Sequence, residues 1–61
     1  MSRNKIATIL RTYENGEMHL NNVIVMFGGG VTTERIIRQW MNGKISFSEA
    51  VSQISELINN R

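Results

Sequence analysis

The sequence predicts an all-α fold of four short helices arranged as two duplicated helical hairpins. Three observations predict it. Apolar residues recur at helical spacing, as at Ile6, Ile9, Leu10 and Tyr13, which fall on one stripe of a helix. The dipeptide Asn-Gly occurs directly after two such stripes, as Asn15-Gly16 and Asn42-Gly43. Proline is absent, so no residue removes a backbone donor from a helix interior.

The first helix is expected over 3–14, ending where Gly16 can take the left-handed conformation that satisfies late carbonyls without a Cβ penalty. The second is expected over 20–27, with Leu20, Val23, Ile24 and Phe27 on its stripe and His19, a poor cap, at its start. The β-branched residues of 23–27 would also suit a short strand, but a single strand finds no partner in this chain. Gly28-Gly29-Gly30 separates the halves, and Thr32 or Thr33 is expected to cap a third helix over 33–41. Ile36, Ile37, Trp40 and Met41 form its apolar side before Asn42-Gly43 ends it. Ser46 and Glu49 then spell a capping box, with Ile45 and Ala50 at the positions of a hydrophobic staple. They open a fourth helix over 47–59, whose stripe is Phe47, Ala50, Val51, Ile54, Leu57 and Ile58.

The halves align with each other. Ile9/Ile36, Arg11/Arg38, Asn15/Asn42 and Gly16/Gly43 are identical, and apolar residues coincide at Leu10/Ile37, Tyr13/Trp40, Met18/Ile45, Leu20/Phe47, Val23/Ala50, Ile24/Val51 and Phe27/Ile54. Such agreement is expected of a repeated supersecondary unit, here of about 6–27 and 33–54 within one helical domain spanning 1–61. Tyr13 and Trp40 are expected as core aromatics with their polar edges near the surface, and Phe27 and Phe47 as core residues.

Differences between the halves are informative. Ser52 and Gln53 lie off the stripe of the last helix and read as solvent-facing, whereas their counterparts are Val25 and Met26. The second helix is therefore apolar nearly all round, which demands enclosure within the bundle or cover by another chain. A chain of this length buries only about 60% of its extended surface, so cover by another chain is the expectation. Val23, Val25, Met26 and Phe27 are the candidate protein-interface residues. The partner is either a second copy, since two-fold dimers are the commonest closed assembly, or a larger protein target to which Met26 adapts.

Catalytic and ligand signatures are few. The glycine run lacks the spacing and the Gly-Lys-Ser/Thr ending of a phosphate loop and reads as a turn. With His19 the sole histidine and no cysteine, a thiolate or two-histidine metal site within one chain is excluded. Ser46 caps a helix, Ser48 belongs to no nucleophile elbow, and no pair among Glu14, Glu17, Glu34, Glu49 and Glu56 is constrained toward acid–base work. The expectation is a non-enzymatic protein with no cofactor.

The net charge of +2 is a mild bias spread along the chain. Within it, Arg35 and Arg38 lie one turn apart and Lys44 follows in the next turn, with Gln39, Asn42 and Ser46 supplying polar atoms. A helix-turn-helix could place either the third or the fourth helix in the major groove; the fourth carries Glu49 and Glu56 and no basic residue before Arg61, whereas the third, though short, would bring Arg35, Arg38, Gln39 and Lys44 to DNA. The paired hairpins resemble a duplicated helix-hairpin-helix domain, whose hairpins grip phosphate. The turns Asn-Gly-Glu-Met-His and Asn-Gly-Lys-Ile-Ser lack that family's second hairpin glycine.

No apolar run reaches the length of a spanning helix, and the N-terminal stretch has no signal-peptide core, so a cytoplasmic location without membrane contact is expected. The leading expectation is a small protein-interaction regulator or inhibitor acting by stoichiometric binding. The alternative is a dimeric, helix-turn-helix-like DNA-binding regulator whose second helix supplies the dimer seam.

Overall fold

Ser2 opens the first helix by accepting a hydrogen bond from the Lys5 amide on its hydroxyl, at 3.2 Å, a cap that satisfies one of the orphan donors at the helix start. From there the computed structural model, which describes residues 1–60, runs through α1 (Arg3–Glu14), α2 (Leu20–Met26), α3 (Val31–Met41) and α4 (Phe47–Asn59). The result is an all-α bundle of four helices. The 23–27 segment falls in α2 and its cap, not in a strand.

Three helices end in the same way. Beyond α1, the Gly16 amide donates to the Tyr13 carbonyl at 3.0 Å and the Glu17 amide to the Thr12 carbonyl at 3.0 Å. Beyond α3, the Gly43 amide donates to Trp40 at 3.0 Å and the Lys44 amide to Gln39 at 2.8 Å. Both are Schellman closures, which require a left-handed residue, and Gly16 and Gly43 supply it at φ +79° and +75°. α2 ends alike, the Gly28 amide donating to Val25 at 2.9 Å and the Gly29 amide to Ile24 at 2.7 Å.

The start of α3 departs from expectation. Gly30, not a threonine, occupies the cap position, and the helix begins at Val31. The reason is the glycine run: Gly28, Gly29 and Gly30 all have positive φ, so the chain turns from one helix into the next without a threonine in extended conformation. Thr33 sits instead inside the first turn, fully buried, and its hydroxyl donates to the Gly29 carbonyl at 3.3 Å. The start of α4 follows the sequence: Ser46 Oγ accepts from the Glu49 amide at 3.1 Å.

The core is one cluster. Ile6, Ile9 and Leu10 of α1 meet Val23 and Phe27 from the α2 segment, Ile36, Ile37 and Trp40 of α3, and Ala50, Val51 and Ile54 of α4. α4 packs against both α1 and α3, while α2 packs on α1. Phe47 is half-buried at the edge of this core. Its ring meets Trp40 edge-on at 5.5 Å, and the Arg11 guanidinium lies 3.7 Å from its centroid, a cation–π contact closing the core at that end. Ser52 and Gln53 are half-buried, not solvent-facing: Arg3 Nη1 at the start of α1 donates to Ser52 Oγ at 3.1 Å, and Gln53 lies on the α3 side of α4, beside Thr32 and Ile36. Among the described residues no helix is long and apolar enough to cross a membrane.

Candidate functional site

The inward side of α3 is set by Thr33, Ile36, Ile37 and Trp40, all buried. Helical geometry then sends Val31, Glu34, Arg35, Arg38, Gln39 and Asn42 away from the core. These residues and Lys44 line one open groove of about 310 Å³. Arg35, Arg38, Gln39 and Lys44, the residues singled out for nucleic-acid contact, are thereby brought together. Lys44 joins the helical residues because the closure after Gly43 folds the chain back, fixing its amide on the Gln39 carbonyl. Ser46, considered with them, is engaged as the α4 cap.

The groove holds three cationic side chains and one carboxylate. Glu34 Oε2 accepts from both Nε and Nη2 of Arg38, at 3.1 and 2.9 Å. Arg38 is well exposed and Glu34 partly so, so water screens the pair and its chief effect is to orient the guanidinium. Among the described residues neither Arg35 nor Lys44 has a carboxylate within ion-pair distance. Val31, 75% exposed, adds an apolar contact at the helix start. Two features of this groove escaped the sequence reading: the tether by Glu34, although an acid four residues before an arginine is its signal, and the exposure of Val31.

A second surface lies on α2. Val25 and Met26 are 73% and 43% exposed, and with Glu17, Met18, His19 and Asn22 they surround a shallow depression of about 450 Å³. Val23 and Phe27, named with them from sequence, lie in the core at 0% and 1% exposure, because residues four apart share the side of α2 that meets α1. Of the four, only Val25 and Met26 reach the surface. The helix is consequently not enclosed by its own chain.

A larger depression, of about 500 Å³, runs between α3 and α4 beside Thr32, Ile36, Gln53, Glu56, Leu57 and Asn60. It gathers no set of like charges and no reactive group. His19 is exposed and caps α2 by position alone, without a side-chain hydrogen bond. Among the described residues no three His, Asp or Glu side chains come together as a metal cage. Compared with protein-family models, curated proteins and solved structures, the chain matches none of them.

Proposed function

We propose that the protein is a non-enzymatic, cytoplasmic DNA-binding regulator that places α3 in the major groove of duplex DNA. The observation that carries this reading is the gathering of Arg35, Arg38, Gln39 and Lys44 along one groove, on the side of α3 opposite the core. A helix entering the major groove needs cations for phosphates and planar polar groups for base edges. Arg35 and Lys44 suit phosphate oxygens, while Gln39 and the oriented Arg38 suit base edges. α2, the glycine run and α3 stand in the order of a helix-turn-helix, in which the second helix enters the groove and the turn often contains glycine. Three of the four aromatic residues favour duplex over single strand: Phe27 and Trp40 are buried and Phe47 is packed against Trp40, leaving them poor platforms for base stacking.

A comparison within the chain adds support. We take the two hairpins to be duplicates, a reading favoured by their matching Schellman closures. In that frame Arg35, Gln39 and Lys44 correspond to Thr8, Thr12 and Glu17. The first half thus keeps the turn but not the cations. Arg11, the counterpart of Arg38, is engaged with Glu14 and the Phe47 ring.

The test is binding to mixed-sequence duplex DNA at two salt concentrations. The two phosphate-neutralising side chains give a slope of log affinity against log salt of about −2, or a loss of roughly tenfold between about 50 and about 200 mM. Absence of binding at low salt would overturn the reading.

A second reading rests on Val25 and Met26. A small protein with an exposed apolar helix face can act as a stoichiometric inhibitor or adaptor of a larger protein, with no DNA contact. Co-purification of such a target, lost on replacing Val25 and Met26 by their counterparts Ser and Gln, would favour it.

A further inference from the structure

We infer that Arg38 recognises a guanine through the free end of its guanidinium, with Glu34 as the residue that positions it. The inference rests on the DNA-binding reading of α3 and deepens it, from duplex DNA in general to a duplex that presents guanine to Arg38.

The hydrogen bonds carry the first step. A guanidinium holds five N–H donors in a rigid fork. Glu34 Oε2 takes one from Nε and one from Nη2, at 3.1 and 2.9 Å, and these are the donors of one edge. The end of the group, formed by Nη1 and the second hydrogen of Nη2, meets no protein acceptor among the described residues. The side chain is 62% exposed and lines the α3 groove. Two parallel donors therefore stand free on a group already held along its other edge.

Charge carries the second step. Glu34 and Arg38 together are neutral, and a phosphate approaching the arginine meets the carboxylate as well. A neutral acceptor escapes that repulsion. Arg35 and Lys44, with no carboxylate in ion-pair distance among the described residues, keep their full charge for phosphate. The groove thus divides its cations between two tasks.

Base chemistry then names the partner. In the major groove guanine sets two acceptors side by side, O6 and N7, which match a pair of parallel donors. Adenine pairs an acceptor with a donor, thymine offers one acceptor beside a methyl group, and cytosine offers a donor. Only guanine satisfies both N–H groups.

Arg11, at the equivalent place in the first half, shows the contrast. Its Nη1 donates to Glu14 at 2.7 Å and its guanidinium lies over the Phe47 ring, so both the end and a face of the group are taken by its own chain. Arg38 is tethered by a different edge and is left with its end open.

The experiment uses the full chain and a randomised duplex of about 12 base pairs, about one helical turn. Selection should enrich guanine at one position. In the selected duplex, adenine or 7-deazaguanine at that position should weaken wild-type binding at least about fivefold, the lower end of what a bidentate base contact discriminates. Arg38→Ala should bind the three duplexes alike, with the salt slope still near about −2 because no phosphate contact is lost. Glu34→Gln should narrow the preference for guanine and steepen the slope toward about −3, as the released arginine reaches phosphate. Equal wild-type affinity for the three duplexes overturns the guanine assignment and leaves the α3 reading standing. A preference that survives Arg38→Ala, or a slope that falls by about 1 in that variant, overturns the role of Arg38. An unchanged preference in Glu34→Gln overturns the positioning role. Failure of the wild type to bind any duplex at low salt overturns the α3 reading itself.

Discussion

Glu34 and Arg38 stand one turn apart on α3, and a single carboxylate oxygen of Glu34 receives both Nε and Nη2 of the arginine. The pair faces the groove that also holds Arg35 and Lys44. Glu34 therefore does two things at once: it holds the guanidinium in one orientation and places a negative charge where phosphates would approach. Glu34→Gln removes the charge. The expected outcome is tighter, less discriminating binding to mixed-sequence duplex by several-fold at low salt. Stability should fall by no more than about 0.5 kcal/mol, as for an exposed helical ion pair. Anisotropy titration and urea denaturation read the two effects separately.

The glycine closures predict a matched pair of stability losses. Gly16 and Gly43 have nearly equal positive φ, and open space surrounds the position of an added Cβ at each. Alanine at either site consequently suffers backbone strain without steric collision. Gly16→Ala and Gly43→Ala should each destabilise by about 1–2 kcal/mol, measured as a shift of the urea midpoint. Asparagine, which tolerates the left-handed region, should cost less.

Helix starts predict changes of opposite sign. Ser46 satisfies the Glu49 amide, so Ser46→Ala should cost about 1 kcal/mol. His19 holds the equivalent position before α2 in extended conformation but makes no side-chain bond. His19→Asp should therefore stabilise the fold, by about 0.5–1 kcal/mol, raising its melting temperature.

Neighbouring residues of the α2 segment should respond very differently. Met26 is 43% exposed, and Met26→Gln should shift the thermal midpoint only slightly. Phe27, immediately after it, is enclosed by the core, and Phe27→Ala should cost about 3–5 kcal/mol. A loss of that size approaches the whole stability of so small a domain, and circular dichroism should show the variant largely unfolded.

Much of this architecture was legible because local signals agreed with one another. The bounds of α1 and α4 follow from an apolar stripe ended by Asn15-Gly16 and one opened by Ser46. Arg35, Arg38 and Gln39 share a helix side at simple spacing, so their gathering could be read directly. Lys44 needed the closure to be known, since backbone hydrogen bonding carries it back toward α3. The start of α3 was misplaced because threonine is the commoner cap, while three successive glycines allowed a start that needed none. Comparison of the halves marked Val25 and Met26 as unusual, but extending the interface to Val23 and Phe27 ignored that those two face α1. The contact of Arg11 with Phe47 joins residues far apart in sequence, and no local pattern announces it.

The central claim is that the α3 groove binds the phosphate backbone and bases of duplex DNA. Its most direct test is the salt dependence of duplex affinity for the wild type, Arg35→Ala and Lys44→Ala, measured on a duplex short enough for one copy. Removing one phosphate contact should lower affinity and reduce the magnitude of the salt slope by about 1 in each variant, with the helical content unchanged. Slopes and affinities equal to those of the wild type in both variants would contradict the claim.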